Sequence, residues 1–204
     1  DQCGFGLRMQ EGSVFYERHP RWSRLGRMVM DARDAVSFAV EGKGTSGAIP
    51  ELDEDRVFLL GYSTGALTAM YAGALDDRLA GVACFSGWTP LRDATKATAT
   101  GGNRRLWELH ALQPRLGWFD GREGDIPFDY HDVLGQVLSK PCLIVTPKRD
   151  RFADHSAITE AIKQLRLAKP KQAEAALTWQ SPDDTNRFQA DQHQQFINWT
   201  KSLR

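Results

Sequence analysis

The stretch RVFLLGYSTG, residues 56–65, carries the clearest indication of the fold. Its segment 56–61 is a short, continuous apolar run, which is typical of a strand buried on both faces of a parallel sheet. The following segment, from Thr64 to Asp76, is rich in small residues that allow a helix to pack closely against a sheet. Since almost nothing separates the two segments, the sequence predicts a strand that passes directly into a helix.

The same two kinds of element alternate along the rest of the chain. Apolar runs predict further strands at 79–85, 141–146 and 175–179, and helical stretches follow the last two at about 155–167 and 190–203. Apolar residues at helical spacing between Trp22 and Val40 predict one more helix, before the first strand. The order predicts an α/β fold with a mostly parallel sheet and flanking helices.

A long segment, residues 86–140, separates the second and third predicted strands and is broken by several glycines and Pro114. Connections of this length usually form lids or contain small elements of their own. We therefore expect a lid insertion at about 86–140 within a single domain of residues 1–204, which is the usual size of one domain.

The composition disfavours several classes of partner and cofactor. The 26 Lys and Arg residues balance 26 Asp and Glu residues, so no global positive field attracts nucleic acid or an anionic membrane. No window approaches the roughly 20 apolar residues of a membrane span. Cys84 and Cys142 lie in apolar runs and are expected to be buried free thiols, and no metal-spaced cluster or nucleotide-binding glycine pattern occurs. We expect no nucleic-acid or membrane partner, no metal and no cofactor; the compartment stays open.

The pentapeptide GYSTG at 61–65 matches G-x-S-x-G at the predicted junction of strand and helix. This pattern is typical of a nucleophile elbow, a strained turn that exposes a serine hydroxyl above the sheet. Ser63 is therefore the candidate nucleophile, and the N–H of Thr64 is the candidate oxyanion donor because it opens the helix. Asp150, just after the third predicted strand, is the candidate acid; Asp154 is a weaker alternative that better fits a helix N-cap.

These segments resemble the α/β-hydrolase superfamily, and within it the esterase-like branch of dienelactone-hydrolase-like, acetylxylan-esterase-like and glucuronoyl-esterase-like proteins. The resemblance rests on GYSTG at 61–65, on IPFDYHDVL at 126–134 and on DRFAD at 150–154. It implies the C-terminal portion of an α/β-hydrolase fold with Ser63 as nucleophile and Asp150 as acid.

The catalytic base is a departure from this family pattern. The family places a histidine just past the last strand, whereas this chain has NRF at 186–188, and the amide of Asn186 cannot act as a base. His193, about two helical turns later, and His110, in the predicted lid, are the two candidate bases. His131 resembles a family position that we interpret as structural.

The N-terminus is a second departure, because residues 1–6 resemble the loop that follows an early strand in these enzymes. The first strands and the second oxyanion donor of the family are therefore expected to be missing. A strand left without a neighbour exposes unpaired backbone groups. We expect a second polypeptide that completes the sheet beside residues 57–60.

Two functions remain open. The first is a serine hydrolase that cleaves a carboxylic ester by acyl-enzyme chemistry, with a small-molecule or carbohydrate ester as substrate. Aromatic side chains of the lid suit the flat face of a sugar, although they also suit packing: Trp88, Trp107, Trp118 and Phe119. The second is a non-catalytic binding or scaffold subunit that has lost its base to Asn186.

Overall fold

The computed structural model describes residues 1–41, 52–93 and 102–203. Its centre is a parallel sheet of four strands in the order β1 (Phe58–Tyr62), β2 (Gly81–Phe85), β3 (Cys142–Val145) and β4 (Leu177–Gln180). The predicted α/β class and parallel sheet are confirmed. All four strands lie within a few residues of the predicted apolar runs.

The helices surround this sheet. In chain order they are α1 (Met9–Ser13), α2 (Phe15–Arg18), α3 (Arg24–Glu41), α4 (Thr64–Leu75), α5 (Gly102–Arg104), α6 (Tyr130–Val137), α7 (His155–Ala168), α8 (Pro170–Ala176) and α9 (Ala190–Ser202). Short 3₁₀ turns occupy Gly6–Arg8, Glu54–Arg56, Pro114–Phe119 and Glu123–Asp125, and a π-helical turn occupies Arg105–Leu109. Within the described ranges, no helix is long and apolar enough to cross a membrane.

The strands bury side chains on both faces because successive residues point in opposite directions. Val82, Cys84 and Ile144 belong to the large core shared with α3, α4, α6 and α7. Ala83 and Phe85 belong to a smaller core that α9 covers. The continuous apolar run of a strand therefore reflects a sheet with helices on both faces, and Cys84 and Cys142 are buried free thiols as predicted.

The small residues of α4 serve close packing. A Cβ placed on Gly73 would lie 2.5 Å from Cγ2 of Val82, so this glycine allows α4 to contact β2. Almost every residue from Ala66 to Gly73 is buried, because α4 lies between the sheet and its neighbours α3 and α6. This close approach fixes the position of the turn that precedes α4.

The segment predicted as a lid is partly core. Its last helix, α6, packs against α4 and α7 within the main helical layer, and a capping box at Asp129 fixes where this helix begins. Leu106 and Leu112, from the middle of the segment, are also completely buried in the main core. The described part of this segment is therefore held firmly against the domain.

Candidate active site

Ser63 occupies a strained turn between β1 and α4. Its backbone angles are φ 54° and ψ −117°, which a non-glycine residue rarely adopts. A Cβ on Gly61 would lie 2.1 Å from the carbonyl oxygen of Gly65, and a Cβ on Gly87 would lie 2.0 Å from that of Ser63. Both positions therefore require glycine, and Ser63 lies at a strained junction of strand and helix.

The hydroxyl of Ser63 contacts a buried arginine. Nη2 of Arg105 donates a hydrogen bond of 2.9 Å to Oγ of Ser63, and only 9% of the arginine is exposed. Burial lowers the pKa of the Arg105 guanidinium from its usual value, and the ring of Phe152 lies 5.8 Å from its central carbon. Sequence reasoning missed Arg105, because nothing local distinguishes it from Arg104, which pairs at the surface with Glu108.

The candidate acid lies at the same edge of the sheet. Asp150 follows β3, is 5% exposed and accepts hydrogen bonds from the N–H of Phe152 and from Nδ2 of Asn186, both 2.9 Å long. Oδ1 of Asn186 in turn accepts a hydrogen bond of 2.6 Å from the hydroxyl of Tyr62. The amide of Asn186 therefore stands between the carboxylate of Asp150 and the residue that precedes Ser63.

The two candidate bases are placed differently. His193 lies on the exposed side of α9, and its ring is 4.4 Å from that of Phe188, which stacks at 5.4 Å on Tyr62. A phenyl ring therefore lies between His193 and the elbow. His110 follows the π-helical turn, is half-buried, and its pKa is lowered by burial and by the positive charge of Arg105. In the described ranges, neither imidazole is hydrogen-bonded to Ser63.

The remaining histidines have other contacts. Nε2 of His155 lies 2.6 Å from Oγ of Ser181, and Nε2 of His131 lies 3.8 Å from a carboxylate oxygen of Asp132. Asp154 accepts hydrogen bonds from two backbone N–H groups at the start of α7, so its interpretation as an N-cap is confirmed. Among the described residues, no three His, Cys, Asp or Glu side chains form a group that could hold a metal.

Thr64 is the first residue of α4, where backbone N–H groups have no partner within the helix. The N-terminal segment reaches this point, because Nε2 of Gln2 donates a hydrogen bond of 3.2 Å to Oγ1 of Thr68. The same nitrogen would lie 3.7 Å from a Cβ on Gly65. The oxyanion role of Thr64 stays a prediction that this position permits.

The lid aromatics divide between core and surface. Trp88 is 2% exposed and packs edge-to-face on Tyr130 at 5.5 Å, so it serves packing. Trp107 and Phe119 are partly buried against the core. Trp118 is 73% exposed and is the lid aromatic with the most surface available for a ligand.

The parallel sheet, the helices on both faces and a serine at the strained turn define the α/β-hydrolase fold. The sequence profile of the phospholipase/carboxylesterase family matches residues 25–112, which include Ser63 and Arg105. No curated protein matches the chain. The family match confirms the expected resemblance to esterase-like members of the α/β-hydrolases.

Solved structures of similar fold include several carbohydrate esterases. A promiscuous CE15 esterase from a marine bacterial metagenome is 16% identical to this chain, with a TM-score of 0.76. The match covers 100% of this chain and 55% of that esterase. A CE15 glucuronoyl esterase from Caldicellulosiruptor kristjansonii is 20% identical with a TM-score of 0.73, covering 93% and 54%. The glucuronoyl esterase from Solibacter usitatus is 14% identical with a TM-score of 0.71, covering 89% and 49%. The chain therefore spans about half the length of these proteins.

Proposed function

We propose that the chain is a carboxylic ester hydrolase that uses Ser63 as its nucleophile. The observation that carries this proposal is the strained turn at Ser63, since nothing in the packing of β1 against α4 requires a non-glycine residue at φ 54°. Oγ of Ser63 attacks the ester carbonyl, the alcohol leaves, and water then cleaves the acyl-enzyme. The N–H of Thr64 and the N-terminus of α4 stabilise the charge on the carbonyl oxygen.

His110 is the better supported of the two candidate bases. A base must be unprotonated, and both burial and the charge of Arg105 favour the neutral imidazole of His110. In this role it accepts the hydroxyl proton of Ser63 and passes it to the leaving alcohol, which requires a movement or a bridging water that joins the two groups. His193 is the second candidate and requires movement of Phe188.

We assign a carbohydrate ester as the substrate class. The exposed Trp118 supports this assignment, because an indole ring offers a flat apolar surface on which a sugar packs. The names of the similar structures, which include glucuronoyl esterases, point in the same direction.

Labelling of the serine tests this proposal. The protein is treated with a fluorophosphonate, and turnover of an aryl acetate is measured in parallel, for the natural chain and for Ser63→Ala. Labelling and turnover should both be lost in Ser63→Ala and retained in Ser139→Ala, whose side chain is exposed and distant in sequence. Equal turnover by Ser63→Ala and the natural chain would refute the proposal.

One observation favours a non-catalytic binding subunit as the second candidate. Asn186 is held between Asp150 and Tyr62, where the family pattern places the base. Asn186→His separates the two functions. If the natural chain has no measurable turnover and Asn186→His hydrolyses an ester about 100-fold or more above background, the chain retains the site but not the base.

We also propose that a further polypeptide pairs with the free edge of β1. Within the described ranges, β1 is an edge strand, because the sheet order is β1-β2-β3-β4. Proteins usually protect the edges of their sheets, and an edge strand that is left exposed is a site where a strand of another chain can pair.

A further inference from the structure

We infer that Arg105 forms a carboxylate-binding subsite beside Ser63, so that the preferred substrate is a half-ester of a short dicarboxylic acid. The inference rests on the proposed function for the position of the ester, and on the structure for the anion site. The acyl part of the substrate lies against Arg105, and its alcohol part is free to carry a sugar.

The first support is that Arg105 is buried without a counter-ion. It is 9% exposed, and among the described residues no carboxylate lies within ion-pair distance of its guanidinium. A buried charge without a partner costs several kcal/mol, so proteins rarely keep one that has no purpose. A bound carboxylate would offset this cost.

The second support is that its donors are free. A guanidinium has five N–H groups, and within the described part of the chain the guanidinium of Arg105 donates one hydrogen bond, to Ser63. None of its nitrogens is both completely enclosed and unpaired among the described residues, so the remaining donors keep some access to solvent. A planar fork of free donors matches the two oxygens of a carboxylate.

The surrounding groups do not occupy the donors of Arg105. The charge of Asp150 acts on the guanidinium from beyond ion-pair distance, and the oxygens of Asp150 accept hydrogen bonds from Phe152 and Asn186 instead. Tyr62 is a phenol and therefore neutral at physiological pH, and burial raises its pKa further. His110, on the adjacent turn, is neutral or positive at every pH and does not repel an anion.

The contact with Ser63 limits the length of the acyl group. Nη2 of Arg105 is 2.9 Å from Oγ of Ser63. A carboxylate on the other nitrogens then lies about 4–6 Å from that oxygen, while the ester carbon under attack lies about 3–3.5 Å from it. One to three carbons fit between these two groups, as in malonate, succinate and glutarate half-esters.

Monobutyl succinate and butyl succinamate test the subsite, since they differ in charge and have nearly the same shape. Release of butanol is followed by chromatography and corrected for uncatalysed hydrolysis. For the natural chain, kcat/KM should be about 10- to 100-fold higher for the carboxylate than for the amide, which is the range of a charge-assisted hydrogen bond. The ratio should fall to about 1 in Arg105→Met and stay unchanged in Arg104→Met, the surface neighbour.

Binding to Ser63→Ala separates failure of this inference from failure of the proposed function. Calorimetry should show tighter binding of monobutyl succinate than of butyl succinamate, lost in Ser63→Ala/Arg105→Met and partly kept in Ser63→Ala/Arg105→Lys. If the natural chain cleaves neither ester but this difference in binding is present, the subsite stands and the proposed function fails. Equal binding of the two compounds, or a preference that survives Arg105→Met, would overturn the subsite.

Discussion

Gly87→Ala should displace the turn at Ser63 without changing any side chain that the proposed reaction uses. Gly87 follows β2 at φ 99°, a conformation that residues with a Cβ rarely adopt. Its added Cβ would lie 2.0 Å from the carbonyl oxygen of Ser63. An ordinary contact needs about 3.5 Å, so the turn at Ser63 and the end of β2 must separate by about 1.5 Å.

The magnitude follows from two separate effects. The positive φ costs an alanine about 1–2 kcal/mol, and the overlap adds about 1–3 kcal/mol for the movement of packed backbone. Displacement of a reacting group by about 1 Å lowers the rate about 100-fold. Gly87→Ala should therefore lose about 2–5 kcal/mol of unfolding free energy and about 100-fold in the reaction of Ser63 with a fluorophosphonate.

Gly121→Ala is the matched control. Gly121 also has a positive φ, 75°, but no heavy atom lies within 4 Å of the position of its Cβ. This variant should lose about 1–2 kcal/mol and no reactivity. Urea unfolding measures the first quantity, and the rate of fluorophosphonate labelling at a urea-free, fully folded condition measures the second. Labelling of Gly87→Ala at the natural rate would refute the argument that this glycine positions the nucleophile.

Three further predictions concern pH, stability and assembly. If His110 is the base, the fall in kcat/KM toward low pH should be centred below the usual histidine pKa of 6.5, because burial and the charge of Arg105 lower the pKa of His110. The same activity and the same inflection in His110→Gln as in the natural chain would exclude His110 as the base. Hydrogen bonds to Arg78 are the chief reason that the pKa of Asp76 is lowered to about 2, so Asp76 stabilises the fold above pH 3.8 and loses this effect as the pH falls toward 2. In urea unfolding, Asp76→Asn should lower the free energy of unfolding by roughly 2 kcal/mol at pH 7 and by almost nothing at pH 2. An equal loss at both pH values would contradict this linkage. Size-exclusion chromatography with mass analysis of a native preparation should find a second polypeptide on β1, whereas a monodisperse 22.9 kDa monomer with full ester turnover would contradict that expectation.

The features of this site that could be predicted from the sequence are those formed by residues close together in the chain. The strained turn at Ser63 could be predicted because its strand, its glycines and its helix are consecutive, within residues 56–76. The N-cap at Asp154 could be predicted for the same reason, since its partners lie two and three residues away. In contrast, the length of residues 86–140 predicts a lid, whereas the place of α6 in the helical layer depends on its contacts with α4 and α7.

Local sequence is enough to predict the four strands in chain order, the helices α3, α4, α7 and α9, the parallel sheet and the turn at Ser63, because periodicity and turn chemistry are properties of neighbouring residues. The surroundings of the serine instead depend on contacts between segments that are far apart in the chain. The hydrogen bond from Arg105 to Ser63 joins residues 42 apart, and that from Tyr62 to Asn186 joins residues 124 apart. Such contacts depend on how the packed helices bring distant segments together, and Arg104 and Arg105 are equivalent until the chain has folded and only one of them is buried.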